Sequence, residues 1–229
     1  MSLVNTDTKL CDIVINDPSI VTVLNRFDIA LGVGDKTVAK ICQEKNLDKD
    51  FFTTILNTYI NEEYFPEKIL SSFSAKKIID YLNKTNSYYE QFQIPNIESH
   101  FHLLISKSDT QNSNLELLRA FFFEVKHELL MRIADDRTRW FPEVIAQEKN
   151  SELTSDTPVC EFNEGPDSIE DKINDLINMF VIHLTGDYDL NLGHAVLFAI
   201  FSLKKDIKQN NRIRNRILRP ISIALSKNK

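Results

Sequence analysis

The 229-residue chain is long enough for one large domain or a domain with a small appendage, and its 42% apolar content can bury a sizeable core. A formal net charge of −6 and a pI of about 5.4 argue against a general binder of nucleic acid or anionic membranes. No apolar run reaches about 18 residues, the first residues lack a basic-then-apolar signal, and five glycines with seven prolines are too few for a turn-rich all-β chain. An all-α, cytoplasmic protein is the expectation that remains.

Residues 10–60 read as short helices joined by turns. Asp17-Pro18 predicts a helix through Phe27, with Asp17 as N-cap and Pro18 in the first turn. Leu31-Gly32-Val33-Gly34-Asp35 reads as a turn, after which Asp35 can cap a helix to about Lys45. Asn46-Leu47-Asp48 is a second turn, leading into a helix through Asn57 or beyond, and Tyr64-Phe65-Pro66-Glu67 reads as a linker. Four helical periodicities follow, at roughly 75–105, 114–149, 167–185 and 190–218, with Ser151–Gly165 as the longest polar break. Four long amphipathic helices so connected predict an antiparallel four-helix bundle over 66–229, behind a small helical domain over 1–65.

Cys11, Cys42 and Cys160 are scattered, with no zinc spacing, and read as reduced, small buried hydrophobes. Between Lys204 and Lys229 nine basic residues face one acid, Asp206, which leaves about −14 on the remainder. Lys204, Lys208, Arg212 and Arg216 fall on one helix face, read as solvated near a C-terminus, with docking of an acidic partner as the alternative. The segment from Thr37 to Phe52 superficially suits a helix-turn-helix. Its would-be recognition helix, Asp48–Leu56, is acidic and apolar, which is wrong for a phosphate-lined groove.

The most informative pattern lies on the faces of the four long helices. The last carries Val196, Ile200, Leu203, Ile207, Asn210, Arg214, Ile217 and Ile221 at three- and four-residue steps. The second carries Leu118, Phe122, Val125, Leu129, Arg132, Asp136 and Trp140; the first Ile78, Leu82, Asn86 and Tyr89; the third Asn174, Ile177, Val181 and Leu184. Each apolar stripe is interrupted by at least one polar residue. Arg132 and Asp136 precede Pro142 by the same spacing at which Asn210 and Arg214 precede Pro220, as in a duplicated helix pair. Inward polar groups at such spacing are where bundles build di-metal sites. The chemistry here is wrong for one: Asn offers a single neutral oxygen, Arg has no lone pair to give, and only Asp136 suits a metal. A rotation of the helices that turns these residues to solvent is the alternative. The histidines His100, His102, His127, His183 and His194 read as surface or helix-end residues, with a non-standard metal site around His127 as the competing reading.

The chain resembles the iron–sulfur cluster repair di-iron proteins, the ScdA-type family with a hemerythrin-like bundle, over nearly its whole length. The N-terminal resemblance rests on Asp12-Ile13-Val14, Asp17-Pro18, Val23-Leu24-Asn25-Arg26-Phe27-Asp28-Ile29, and Lys36-Thr37-Val38 with Ala39 and Cys42. The family's bundle signature of His, three residues, Glu, then aromatic-Pro is matched by Arg132, Asp136 and Phe141-Pro142, and again by Asn210, Arg214 and Arg219-Pro220. Its histidine before a Tyr-rich turn and Leu-Pro is matched by Asn86 or Ser87, ahead of Tyr88-Tyr89 and Ile94-Pro95, and its His-Asp by Asn174-Asp175. All four histidine positions and one of two carboxylate positions are replaced, and Asp136 shortens the other. The family's adjacent cysteine pair is absent, with Leu31-Gly32-Val33-Gly34 standing there.

The resemblance with these departures implies a pseudo-enzyme: a non-catalytic interaction or regulatory protein with no cofactor, no metal and no catalytic residues. Asn86, Arg132, Asp136, Asn174, Asn210 and Arg214 then form a polar core in which the two arginines replace the cationic role of the irons. Arg132→Ala is expected to be strongly destabilising on this reading. The resemblance also implies a homodimer formed through the N-terminal domain, alongside an unidentified protein partner. Two other function classes compete: a metal-binding stress-response or cluster-repair protein with relocated ligands, and a DNA-associated regulator using the basic last helix. A pocket lined by Arg132 and Arg214 that takes a small anion is a further expectation.

Overall fold

The computed structural model describes residues 3–108, 113–149 and 168–227. Among them all regular structure is helical, apart from one isolated antiparallel bridge between Lys9 and Thr37. No described helix is long and apolar enough to cross a membrane.

Five short helices come first: α1 (Leu10–Asn16), α2 (Ile20–Arg26), α3 (Val38–Lys45), α4 (Lys49–Ile60) and α5 (Glu67–Leu70). Asp17 does not cap a helix beginning at Pro18. Its carboxylate accepts from the Ser19 backbone N–H and hydroxyl, and the helix starts at Ile20. Nor does Asp35 cap α3. Thr37 takes that place, accepting from the Lys40 N–H, while Asp35 pairs with Lys9 at 3.1 Å. Asn46 ends α3 in the left-handed region (φ 53°), and Asp48 caps α4 through the N–H groups of Asp50 and Phe51. In α4 the side chains of Phe51, Phe52, Ile55 and Leu56 are buried, so the supposed recognition face is core.

Four long helical segments follow. The first is α6 (Ala75–Tyr88), a π-helical turn (Tyr89–Gln93) and α7 (Ile94–Ser106); the second is α8 (Ser113–Asp135), a π turn (Asp136–Trp140) and α9 (Phe141–Lys149). The third is α10 (Ser168–Asn178) ending in a π turn (Met179–His183), and the fourth is α11 (Leu190–Ile213), a π turn (Arg214–Leu218) and α12 (Arg219–Lys227). The expected break Ser151–Gly165 lies outside the described residues, as does Cys160. Three of the π turns have one cause legible in the sequence: Tyr89, Asp136 and Arg214 each stand at the same distance before Pro95, Pro142 and Pro220. A proline ring clashes with the carbonyl four residues back and supplies no N–H. Widening the preceding turn relieves both problems, and the residue before each proline donates five residues back instead: Ile94 to Tyr89, Phe141 to Asp136, Arg219 to Arg214.

The long segments pack in a cycle, α7 on α8 and α11, α10 on α8 and α11, with α6 and α12 both against α9. Helix α2 lies between α4 and α6. Two apolar clusters result. The proximal one joins Ile20, Leu24, Phe52 and Leu56 to Ile79, Phe141, Val144, Ile217 and Leu218, so residues on both sides of position 65 share it. The distal one contains Ile97, Phe101, Phe122, Leu129, Ile173, Leu176, Val196 and Leu203. On the fourth segment every apolar member of the expected stripe is buried or half-buried. The third segment is rotated from expectation: Ile169, Ile173, Leu176, Ile177 and Phe180 face inward, and Val181 is 64% exposed.

Candidate functional site: a polar layer between two cores

The second and fourth segments leave the distal cluster at Ile133 and Ile207 and enter the proximal one at Phe141 and Ile213. Polar side chains occupy the interval; the π turn of Asp136 begins within it, and that of Arg214 begins just past Ile213. The two positions that correspond in the duplicated pattern, Asp136 and Arg214, meet across the helices. Arg214 grips both carboxylate oxygens, Nη2 to Oδ1 at 2.6 Å and Nε to Oδ2 at 3.1 Å. This is the planar fork geometry for which guanidinium and carboxylate are matched. Asp136 is 2% exposed, and Trp140 lies beside the Arg214 guanidinium at 4.6 Å from ring centroid to Cζ.

The other expected members are placed less uniformly. Asn210 is buried, and its amide donates to the Tyr89 hydroxyl and to the Asp206 carbonyl one turn back. Asn86 is buried on α6, whereas Asn174 is half-buried on α10. Arg132 is half-buried. It donates to Asn211 Oδ1 at 3.0 Å, and Asn211 in turn donates to Glu170 at 2.6 Å.

The deepest charges in the layer, Arg26 and Asp206, were not among the expected members. Their side chains are 0% and 1% exposed and form an ion pair between α2 and α11. Arg26 also donates to the Tyr81 hydroxyl at 3.0 Å and lies over the rings of Tyr81 and Tyr88. Burial opposes the Arg26 cation, but the Asp206 carboxylate outweighs it and holds the pKa well above the ordinary arginine range. Burial, reinforced by Asp206, raises Tyr59 and Tyr89; burial likewise raises Tyr81, so these phenols stay neutral. A sequence signal for Asp206 exists: it lies between Leu203 and Ile207, on the buried face, four residues before Asn210.

The basic face of the fourth segment is exposed at Lys208 and half-buried at Lys204, Arg212 and Arg216, with acidic partners along it. Lys205 pairs with Asp17, Lys208 with Glu62 and Arg216 with Glu67, and both Arg212 and Arg216 lie 4.5 Å from the Phe65 ring. The acidic N-terminal helices and the linker region absorb it, and Glu67 belongs to α5 rather than to a linker.

The residues present do not fit a di-iron centre. Asp136 spends both oxygens on Arg214, and of the other expected positions Asn86, Asn174 and Asn210 offer amides and Arg132 a guanidinium. Among the described residues no three His, Cys, Asp or Glu side chains gather to hold a metal. His102, His127, His183 and His194 are exposed and His100 is half-buried. Cys42 is buried, which raises its thiol pKa, while Cys11 is half-buried against the Asp12 carboxylate rather than a core hydrophobe. No protein-family model matches the sequence, and no curated protein or solved structure matches it significantly.

Proposed function

We propose that the chain is a non-catalytic interaction or regulatory protein on a degenerate hemerythrin-like four-helix bundle of the iron–sulfur cluster repair type. The observation that carries this reading is the Asp136–Arg214 pair. The one side chain of the expected set that could ligate iron well is closed by a guanidinium on both oxygens. An arginine supplies positive charge at every working pH, so the layer is neutralised without a metal. The retained elements are those of shape: the short N-terminal helices, proline-induced π turns, and stripes that bury the helices against each other. The reading extends to a cytoplasmic homodimer that acts by binding another protein.

Elemental analysis after anaerobic incubation with ferrous iron and removal of the excess tests the proposal. The expected iron content is near zero. Binding of one or two equivalents per chain would overturn it and redirect attention to the histidines.

A further inference from the structure

Four side chains of the polar layer each keep one atom without a hydrogen-bonding partner: Arg26 Nε, Asp206 Oδ1, Asn210 Oδ1 and Asn86 Nδ2. The residues are 1%, 0%, 4% and 8% exposed. They are two donors and two acceptors; the bonds already made connect Arg26, Asp206 and Asn210, and Asn86 stands one turn before Tyr89, whose hydroxyl Asn210 meets.

Buried polar atoms are satisfied in native proteins, by protein groups or by ordered water, because an unmatched one forfeits its hydration without return. The balance of donors and acceptors restricts what satisfies these four. A bare cation would suit the two oxygens but meet the Arg26 charge, and a bare anion would suit Nε and Nδ2 but meet Asp206. A small neutral molecule that both donates and accepts suits all four. We propose that the layer is a binding site for about one to two internal water molecules, held between Arg26, Asp206, Asn210 and Asn86. Such water completes the Arg26–Asp206 pair, whose single direct bond leaves the second arm of each group open. It links α2, α6 and α11 through one network at the junction of the two cores. The inference stands on the unmatched atoms alone and is independent of the iron measurement.

Water–protein cross-relaxation in the folded full-length chain tests it, read at the Arg26 Nε–H and at the side-chain amides of Asn86 and Asn210. The expected result is cross-peaks to water with the sign of a long-lived site, with an ordered water in a crystal structure within hydrogen-bonding distance of two or more of the four atoms. Asn210→Leu should remove the Arg26 and Asn86 cross-peaks. A dry layer in which Arg26 Nε donates directly to Asp206 Oδ1 would overturn the proposal, as would cross-peaks unchanged in a folded Asn210→Leu variant. The wild-type measurement decides the matter even where that variant does not fold.

Discussion

Two arginine–aspartate pairs connect the fourth long segment to the rest of the molecule, and they are built differently. Arg26–Asp206 is the deeper, joins residues from the two ends of the chain, and makes one direct bond. Arg214–Asp136 is shallower, with the arginine side chain 13% exposed, and makes two bonds with Trp140 over the guanidinium. Depth and completeness therefore do not travel together. The shallow pair is self-sufficient, whereas the deep one depends on Tyr81, on tyrosine rings and on whatever meets its open arms. A buried pair stabilises less than its Coulomb attraction suggests, but removing one partner strands a charge.

That contrast orders the expected losses. Asp206→Leu strands the fully buried Arg26 cation and should cost about 3–5 kcal/mol in denaturant unfolding, the largest effect of any single change in the layer. Adding Arg26→Met should recover most of that loss. A cost under about 1 kcal/mol for Asp206→Leu would show that water reaches the pair freely. Next comes Arg214→Ala, which strands Asp136 and should cost about 2–4 kcal/mol. Arg132→Ala should cost less, because that side chain is only half-buried. Equal losses at the two arginines would erase the distinction between them.

A smaller effect lies at the contact between Asp17 and Lys205. Partial burial opposes the Asp17 carboxylate, but the Ser19 hydroxyl and Lys205 outweigh it and hold its pKa below the ordinary 3.8. A folded pKa below the unfolded one gives stability that is complete above the unfolded value and is lost as pH falls through the folded value. The stability gap between wild type and Asp17→Asn should therefore be constant near neutrality and close as pH drops below about 4. A gap that widens on acidification would reverse the sign of this contribution.

Much of the distal half was legible in the sequence because one repeating rule builds it. Val196, Ile200, Leu203 and Ile207 recur at helical spacing, and their burial follows from that spacing alone. The third segment escaped the rule at its end, where the π turn Met179–His183 breaks the helical step from Ile177, leaving Ile177 buried and Val181 exposed. The proximal half depends on meetings between distant residues. Nothing local marks Arg26 as the partner of Asp206, and a lone acid in a basic run invites a surface reading. Asp136 and Arg214 were visible as matched positions before their prolines. Their pairing needed the geometry, since spacing alone left Arg132 an equal candidate. The π turns follow from prolines that the sequence displayed, and their consequence for hydrogen bonding follows from proline stereochemistry.

Arg214 meets both oxygens of Asp136, so the two side chains should be energetically coupled with no metal present. A double-mutant cycle of Asp136→Leu and Arg214→Met, measured by equilibrium unfolding with a chelator present throughout, tests it most directly. The expected coupling is about 2–3 kcal/mol, with the double variant more stable than the worse single one. Additive losses, with coupling below about 0.5 kcal/mol, would contradict it.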